Sequence, residues 1–114
     1  MKISENDVQN SILELLRFQG LPGVRINNGS VYDPSNQKFR KKHKWETWQG
    51  SPLDIFVFLP DGKNCWIEVK ADEHEKLSPG QKEWMENTIK NGGIAFKAYS
   101  LNCVRDALKN YFTK

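Results

Sequence analysis

Histidine and cysteine are scarce in this chain, two of each among 114 residues. His43 and His74 stand in polar segments without a histidine or cysteine partner at ligand spacing, which argues against a zinc site and an HNH-type centre and makes both surface histidines. Cys65 and Cys103 form no C-x-x-C pair and each lies in an apolar segment, the setting of buried, reduced thiols. Long apolar runs are missing as well. None approaches the ~20 residues a membrane span needs, and the N-terminus lacks the apolar core of a secretory signal, so a soluble, intracellular, cytoplasmic protein without a membrane partner is expected. Neither sign of charge dominates: 17 Lys and Arg face 14 Asp and Glu, and the net +3 draws the chain only weakly toward nucleic acid. No repeat or linker interrupts the sequence, and its length suits a single domain spanning 1–114.

What is present begins with a capped helix. Ser4 can accept from exposed backbone N–H groups, Glu5 and Asp7 suit the positive end of the dipole, and Val8, Ile12, Leu15 and Leu16 recur at helical spacing until Gly20, predicting a helix over about 5–19. Val24 to Asn27 reads as a short strand, followed by Asn28-Gly29 and a polar loop to Gln49 that is long for so small a domain, a feature often tied to function. Leu53 to Leu59 and Asn64 to Lys70 are rich in β-branched and aromatic residues around Pro60-Asp61-Gly62-Lys63, which predicts an antiparallel hairpin. Ser78-Pro79-Gly80-Gln81 is a capping box opening a helix over about 79–91, with Trp84, Met85 and Ile89 on its apolar side and Gly92-Gly93 ending it. Ile94 to Tyr99 is a further strand, and Ser100 caps a last helix carrying Leu101, Val104, Leu108, Tyr111 and Phe112. The order helix, strand, strand, strand, helix, strand, helix implies an α/β fold in which helices flank a mixed central sheet, the second helix crossing between the third and fourth strands.

Both hairpin strands are almost wholly apolar and should be central and buried, yet Asp54 begins one while Glu68 and Lys70 end the other. Side chains alternate along a strand, so Glu68 and Lys70 share a face, and the antiparallel turn brings Asp54 beside them. Two adjacent carboxylates repel unless a cation lies between them, and hard oxygen ligands suit Mg²⁺ or Mn²⁺. A divalent ion with a lysine can cleave a phosphodiester: the ion polarises the phosphate and activates water, and the lysine positions that water or stabilises developing charge. The backbone carbonyl of Val69 is a further candidate metal ligand. Taken alone, D-x(13)-E-x-K also describes a salt bridge at a sheet edge.

The segment WQGSPLDIFVFLPDGKNCWIEVKADEHEKLSPGQKEW resembles the virus-type replication-repair nuclease (VRR-NUC) branch of the PD-(D/E)xK nuclease superfamily, with its glycine-and-aspartate strand, its E-V-K strand and its K-L-S-x-x-Q helix start in order. The resemblance covers nearly the whole chain. It implies a restriction-endonuclease-like core and an Mg²⁺- or Mn²⁺-dependent endonuclease acting on DNA, with a preference for structured or branched DNA in replication, repair or recombination. It makes Asp54 and Glu68 metal ligands, Lys70 the catalytic lysine, Gln81 an active-site polar residue and Glu5 a residue that approaches the metal. Gln81 has a competing reading as a helix cap, and Glu5 needs only the helix dipole to explain it. One departure is that Leu53 separates Pro52 from Asp54. Members of the branch that occur alone, often in phages, together with the small surface of such a domain, point to a homodimer. No small-molecule cofactor is implied.

Between Lys38 and Lys44 (KFRKKHK) five of seven residues are Lys or Arg, and Trp45 and Trp48 follow on the way to Asp54. Phosphate-neutralising cations with stacking aromatics suit DNA, making Lys38, Arg40, Lys41, Lys42, Lys44 and Trp48 candidate contacts, with Arg25 and Asn28 as additions. A solvated charged loop is the plainer alternative. The alternative at the level of function is a catalytically inactive nucleic-acid-binding module of the same fold; a protein-interaction role for the tryptophans is a third.

Overall fold

The computed structural model describes residues 3–26, the backbone of 31–33 and 38–40, and 51–114. A four-stranded sheet of order β1-β4-β5-β6 forms the centre, built from β1 (Gly23–Arg25), β4 (Ile55–Phe58), β5 (Asn64–Val69) and β6 (Ile94–Ala98). A separate antiparallel pair, β2 (Val31–Asp33) and β3 (Lys38–Arg40), stands inside the segment expected to be loop. Three helices accompany the sheet: α1 (Glu5–Phe18), α2 (Pro79–Lys90) and α3 (Leu101–Leu108), the last running into a 3₁₀ turn at Lys109–Tyr111.

The hairpin expected around Pro60–Lys63 is the middle of the sheet, with β4 antiparallel to β5 and Ile55 opposite Ile67. β1 adds to β4 antiparallel, and α2 returns the chain so that β6 lies parallel to β5, giving the mixed sheet that the order of elements implied. Alternation sorts the strands into two faces. Ile55, Val57, Cys65, Ile67 and Val69 pack with Val8, Ile12 and Leu16 of α1 and Val104 and Leu108 of α3 in one core. Each large aliphatic side chain buried there contributes roughly 1.5–3 kcal/mol.

The opposite face corrects the expectation that both strands are wholly buried. Phe56 and Trp66 are half-buried, and Phe58 is 57% exposed. Phe58, Phe56, Trp66 and Trp84 form a chain of edge-to-face rings with centroids 5.0, 5.1 and 5.3 Å apart, which carries the sheet to α2. α2 itself buries no residue completely and leaves Ile89 exposed, so its expected apolar side is only partly used. It packs on β5 and β6, with Trp84 against Trp66, and both of its ends are fixed locally. Ser78 and Gln81 close the capping box reciprocally, and Gly92 turns the chain out with φ +87°, a conformation that glycine adopts without strain.

Candidate active site

Asp54 sits in a bend just before β4, where the backbone ladder with β5 has stopped. Its side chain takes over: Val69 N donates to Asp54 Oδ2 at 2.9 Å, fastening the carboxylate to the end of β5. On the other side, Ile26 N donates to Asp54 O at 2.8 Å, so the same residue is tied to the chain leaving β1. A close approach fixes the segment before it. Ser51 N donates to Gly80 O at 3.0 Å, and a Cβ at Gly80 would lie 2.9 Å from Ser51 Oγ.

Glu68 and Lys70 lie on one face at the end of β5, as their spacing requires. Glu68 is 2% exposed, and Lys70 Nζ lies 3.5 Å from Glu68 Oε2. Gln81 joins them: its Nε2 donates to Glu68 Oε2 at 2.8 Å, and its Oε1 accepts from Lys70 Nζ at 3.3 Å and from Ser78 N at 2.9 Å. One amide therefore caps α2 and touches both charged groups. The other Glu68 oxygen, Oε1, is buried without a hydrogen-bond partner among the described residues. Burial pushes the Glu68 carboxyl up to about 7, the nearby Asp54 charge adds to the rise, and Lys70 opposes it.

Glu5, at the first turn of α1, feels the same centre. Its carboxyl is raised by partial burial and by the charges of Glu75 and Asp54, and lowered by Lys70. Glu75 was not among the residues singled out from the sequence. It accepts from Ala71 N at 3.2 Å in the turn after β5, and no local signal in the sequence reports that return. Arg25 is held against α1 by three hydrogen bonds to Gln9 and Asn6, again beyond what spacing alone conveys. Among the described residues, no three His, Cys, Asp or Glu side chains converge as a ready metal cage.

The basic run is placed only in part. Lys38 and Arg40 begin and end β3, while Lys41, Lys42, Lys44, Trp45 and Trp48, with Asn28 and His43, lie outside the described residues. His74 is a surface residue, with a side chain 87% exposed. Cys65 is buried and reduced, but Cys103 is only half-buried, contrary to the expectation of two buried thiols.

Comparison of the sequence with models of protein families finds no match, and comparison with curated proteins finds none. Among solved structures, one described as a VRR_NUC domain superposes with a TM-score of 0.68, covering 96% of this chain and 100% of that one at 23% identity. At that identity the likeness establishes the fold: the chain has the architecture of a VRR-NUC domain, a restriction-endonuclease-like α/β sheet with flanking helices.

Proposed function

We propose that this protein is a metal-dependent nuclease that hydrolyses DNA phosphodiester bonds at the Asp54, Glu68 and Lys70 centre. The observation that carries the reading is the buried Glu68 carboxyl set against a second carboxylate, Asp54, with no donor among the described residues for its Oε1. Such an atom costs free energy unless a ligand compensates it. The donor set fits Mg²⁺ or Mn²⁺, because these ions use one or two carboxylates plus water and substrate phosphate rather than an all-protein cage. When bound, the ion would polarise the phosphate and lower the pKa of a coordinated water.

The residues divide the remaining work. Asp54 and Glu68 would hold the ion. Val69 offers its carbonyl from the same strand edge, since the N–H and C=O of one strand residue point to the same side and its N–H already meets Asp54. Glu5 adds negative charge from α1. Lys70 exchanges its contact with Glu68 for the phosphate or the attacking water, and Gln81 keeps both side chains in place while it does so. Lys38, Arg40, Lys41, Lys42, Lys44 and Trp48 engage the DNA backbone and bases of structured or branched substrates, and a homodimer supplies a second centre for the second strand.

The test is cleavage of supercoiled plasmid and labelled branched DNA with Mg²⁺, Mn²⁺ or EDTA, with Lys70→Ala prepared alongside. Metal-dependent cutting lost in the variant is the expected result. DNA binding without cutting under every metal would favour an inactive binding module, a reading to which the Lys70–Glu68 ion pair gives its one support.

A further inference from the structure

A cleft of about 380 Å³ opens beside the carboxylate centre, lined by Gln9, Arg25, Ile26 and Asp54. Its walls are joined by backbone: Arg25 is the register partner of Ile55, and Ile26 N bonds Asp54 O. Helix α1 forms the remaining side. Glu5 and Gln9 are one turn apart and share a face, so the helix that turns Glu5 toward Asp54 also turns Gln9 toward Arg25. Arg25 Nε and Nη2 donate to Gln9 Oε1 at 2.9 and 2.7 Å, and Nη2 also donates to Asn6 Oδ1 at 2.5 Å.

The choice of partners is informative. The first turn of α1 offers two carboxylates, Glu5 and Asp7, and among the described residues Arg25 pairs with neither. Two neutral amide oxygens fix the orientation of the guanidinium, and among the described residues it forms no ion pair. An arginine that served only to glue β1 to α1 would gain more from an acid. One that must present a planar, oriented cation to an anionic ligand is served better by amides.

We infer that Arg25, oriented by Asn6 and Gln9, is a positioning residue that anchors a backbone phosphate next to the one being cleaved, with the cleft as its subsite. This rests on the nuclease reading and adds to it the path of the substrate strand, which enters between α1 and the bend at Asp54. A phosphate bound there by Nη1, the guanidinium nitrogen that Gln9 and Asn6 do not engage, would lie beside Asp54 without competing for the metal ligands.

The experiment combines binding and turnover. Labelled duplex DNA is titrated by fluorescence anisotropy in Ca²⁺ at several salt concentrations, and cleavage is followed in Mg²⁺, for the native protein, Arg25→Ala, Arg25→Lys and the Asn6→Ala, Gln9→Ala double variant. Arg25→Ala should weaken binding roughly tenfold, lower the salt slope by about 0.9 for the lost phosphate, and raise KM far more than it lowers kcat. Arg25→Lys should keep the slope but recover only part of the affinity, because an ammonium lacks the planar group that Gln9 and Asn6 orient. The double variant should also keep the slope and lose affinity a few-fold. Native affinity and slope in Arg25→Ala, with a native protein that binds and cuts, would overturn this inference and leave the nuclease standing. A native protein that neither binds nor cuts DNA would overturn both. If Arg25→Ala does not fold, the double variant decides, and native affinity there counts against the inference.

Discussion

Gln81 donates from Nε2 to Glu68 Oε2 at 2.8 Å while its Oε1 accepts the Ser78 N–H at 2.9 Å, so one side chain closes the first turn of α2 and steadies a buried carboxylate. The two duties can be separated by substitution. Glutamate at this position still completes a capping box, but it sets a like charge against Glu68. Gln81→Glu should therefore keep native thermal stability within about 1 kcal/mol and lose cleavage roughly 10- to 100-fold at neutral pH. Gln81→Ala should lose activity and also about 1 kcal/mol of stability with the cap. Single-turnover cleavage and thermal denaturation of both variants check this; native rates in Gln81→Glu would reduce Gln81 to a cap.

The Glu68 carboxyl is raised from 4.5 to about 7 by burial first and the Asp54 charge second, with Lys70 opposing. A raised folded pKa means that the metal-free folded state holds the proton more tightly than the unfolded chain. The stability this supplies is complete below pH 4.5 and is lost as pH rises through about 7. Glu68→Gln stays neutral throughout, so its stability relative to the native protein should grow between pH 5 and 8, reaching on the order of 2–3 kcal/mol. Urea denaturation in EDTA at both pH values measures the gap. A gap that does not change with pH would remove Glu68 as the titrating group.

Much of this was legible in the sequence, and what was not has physical causes. The hairpin, the helix starts at Ser4 and Ser78 and the meeting of Asp54 with Glu68 and Lys70 follow from local rules of alternation, turn chemistry and capping. The Val69–Asp54 bond, by contrast, exists because β4 stops pairing one step before the carboxylate, and ladder length is settled by packing rather than by propensity. The β2–β3 pair inside the polar stretch was missed because three-residue strands carry too little periodicity to register. The Arg25 network joins chain segments distant in sequence, where periodicity reports only neighbours, and the Ala71–Glu75 bond lies in an irregular turn that has no period to read. The exposed flank of the aromatic face reflects a helix α2 that covers β5 and β6 but leaves Phe58 open, which no pattern within β4 reveals.

The two cysteines should differ sharply in reactivity. Burial pushes the Cys65 thiol up to about 12, whereas at Cys103 partial burial is outweighed by hydrogen bonding with the Ser100 hydroxyl and the nearby backbone, leaving the thiol below its ordinary value. The thiolate is the reactive species. Native protein treated with a disulfide reagent at pH 8 should lose one thiol quickly and the second only on unfolding, and Cys103→Ser should abolish the fast phase. Two fast thiols would mean that the core around Cys65 opens readily.

Gly80 offers the sharpest separation of stability from function. Alanine is the better helix former by about 1 kcal/mol, so at an ordinary position in α2 Gly80→Ala would stabilise the protein. Here its Cβ would meet Ser51 Oγ at 2.9 Å and Ser51 N at 3.3 Å, straining the bond from Ser51 N to Gly80 O that holds the segment leading to Asp54. Leu53 is fully buried and cannot follow Ser51 outward, so the displacement falls on the bend that presents the carboxylate. Gly80→Ala should therefore gain no stability and lose cleavage about tenfold, since small displacements of reacting groups are costly. Gly92→Ala is the control. At φ +87° it should cost about 1 kcal/mol of stability, yet it lies at the far end of α2 and should leave the cleavage rate unchanged. If Gly80→Ala proves more stable than the native protein and equally active, the approach of Ser51 to α2 does not position Asp54, and the Val69 N–H alone must do so.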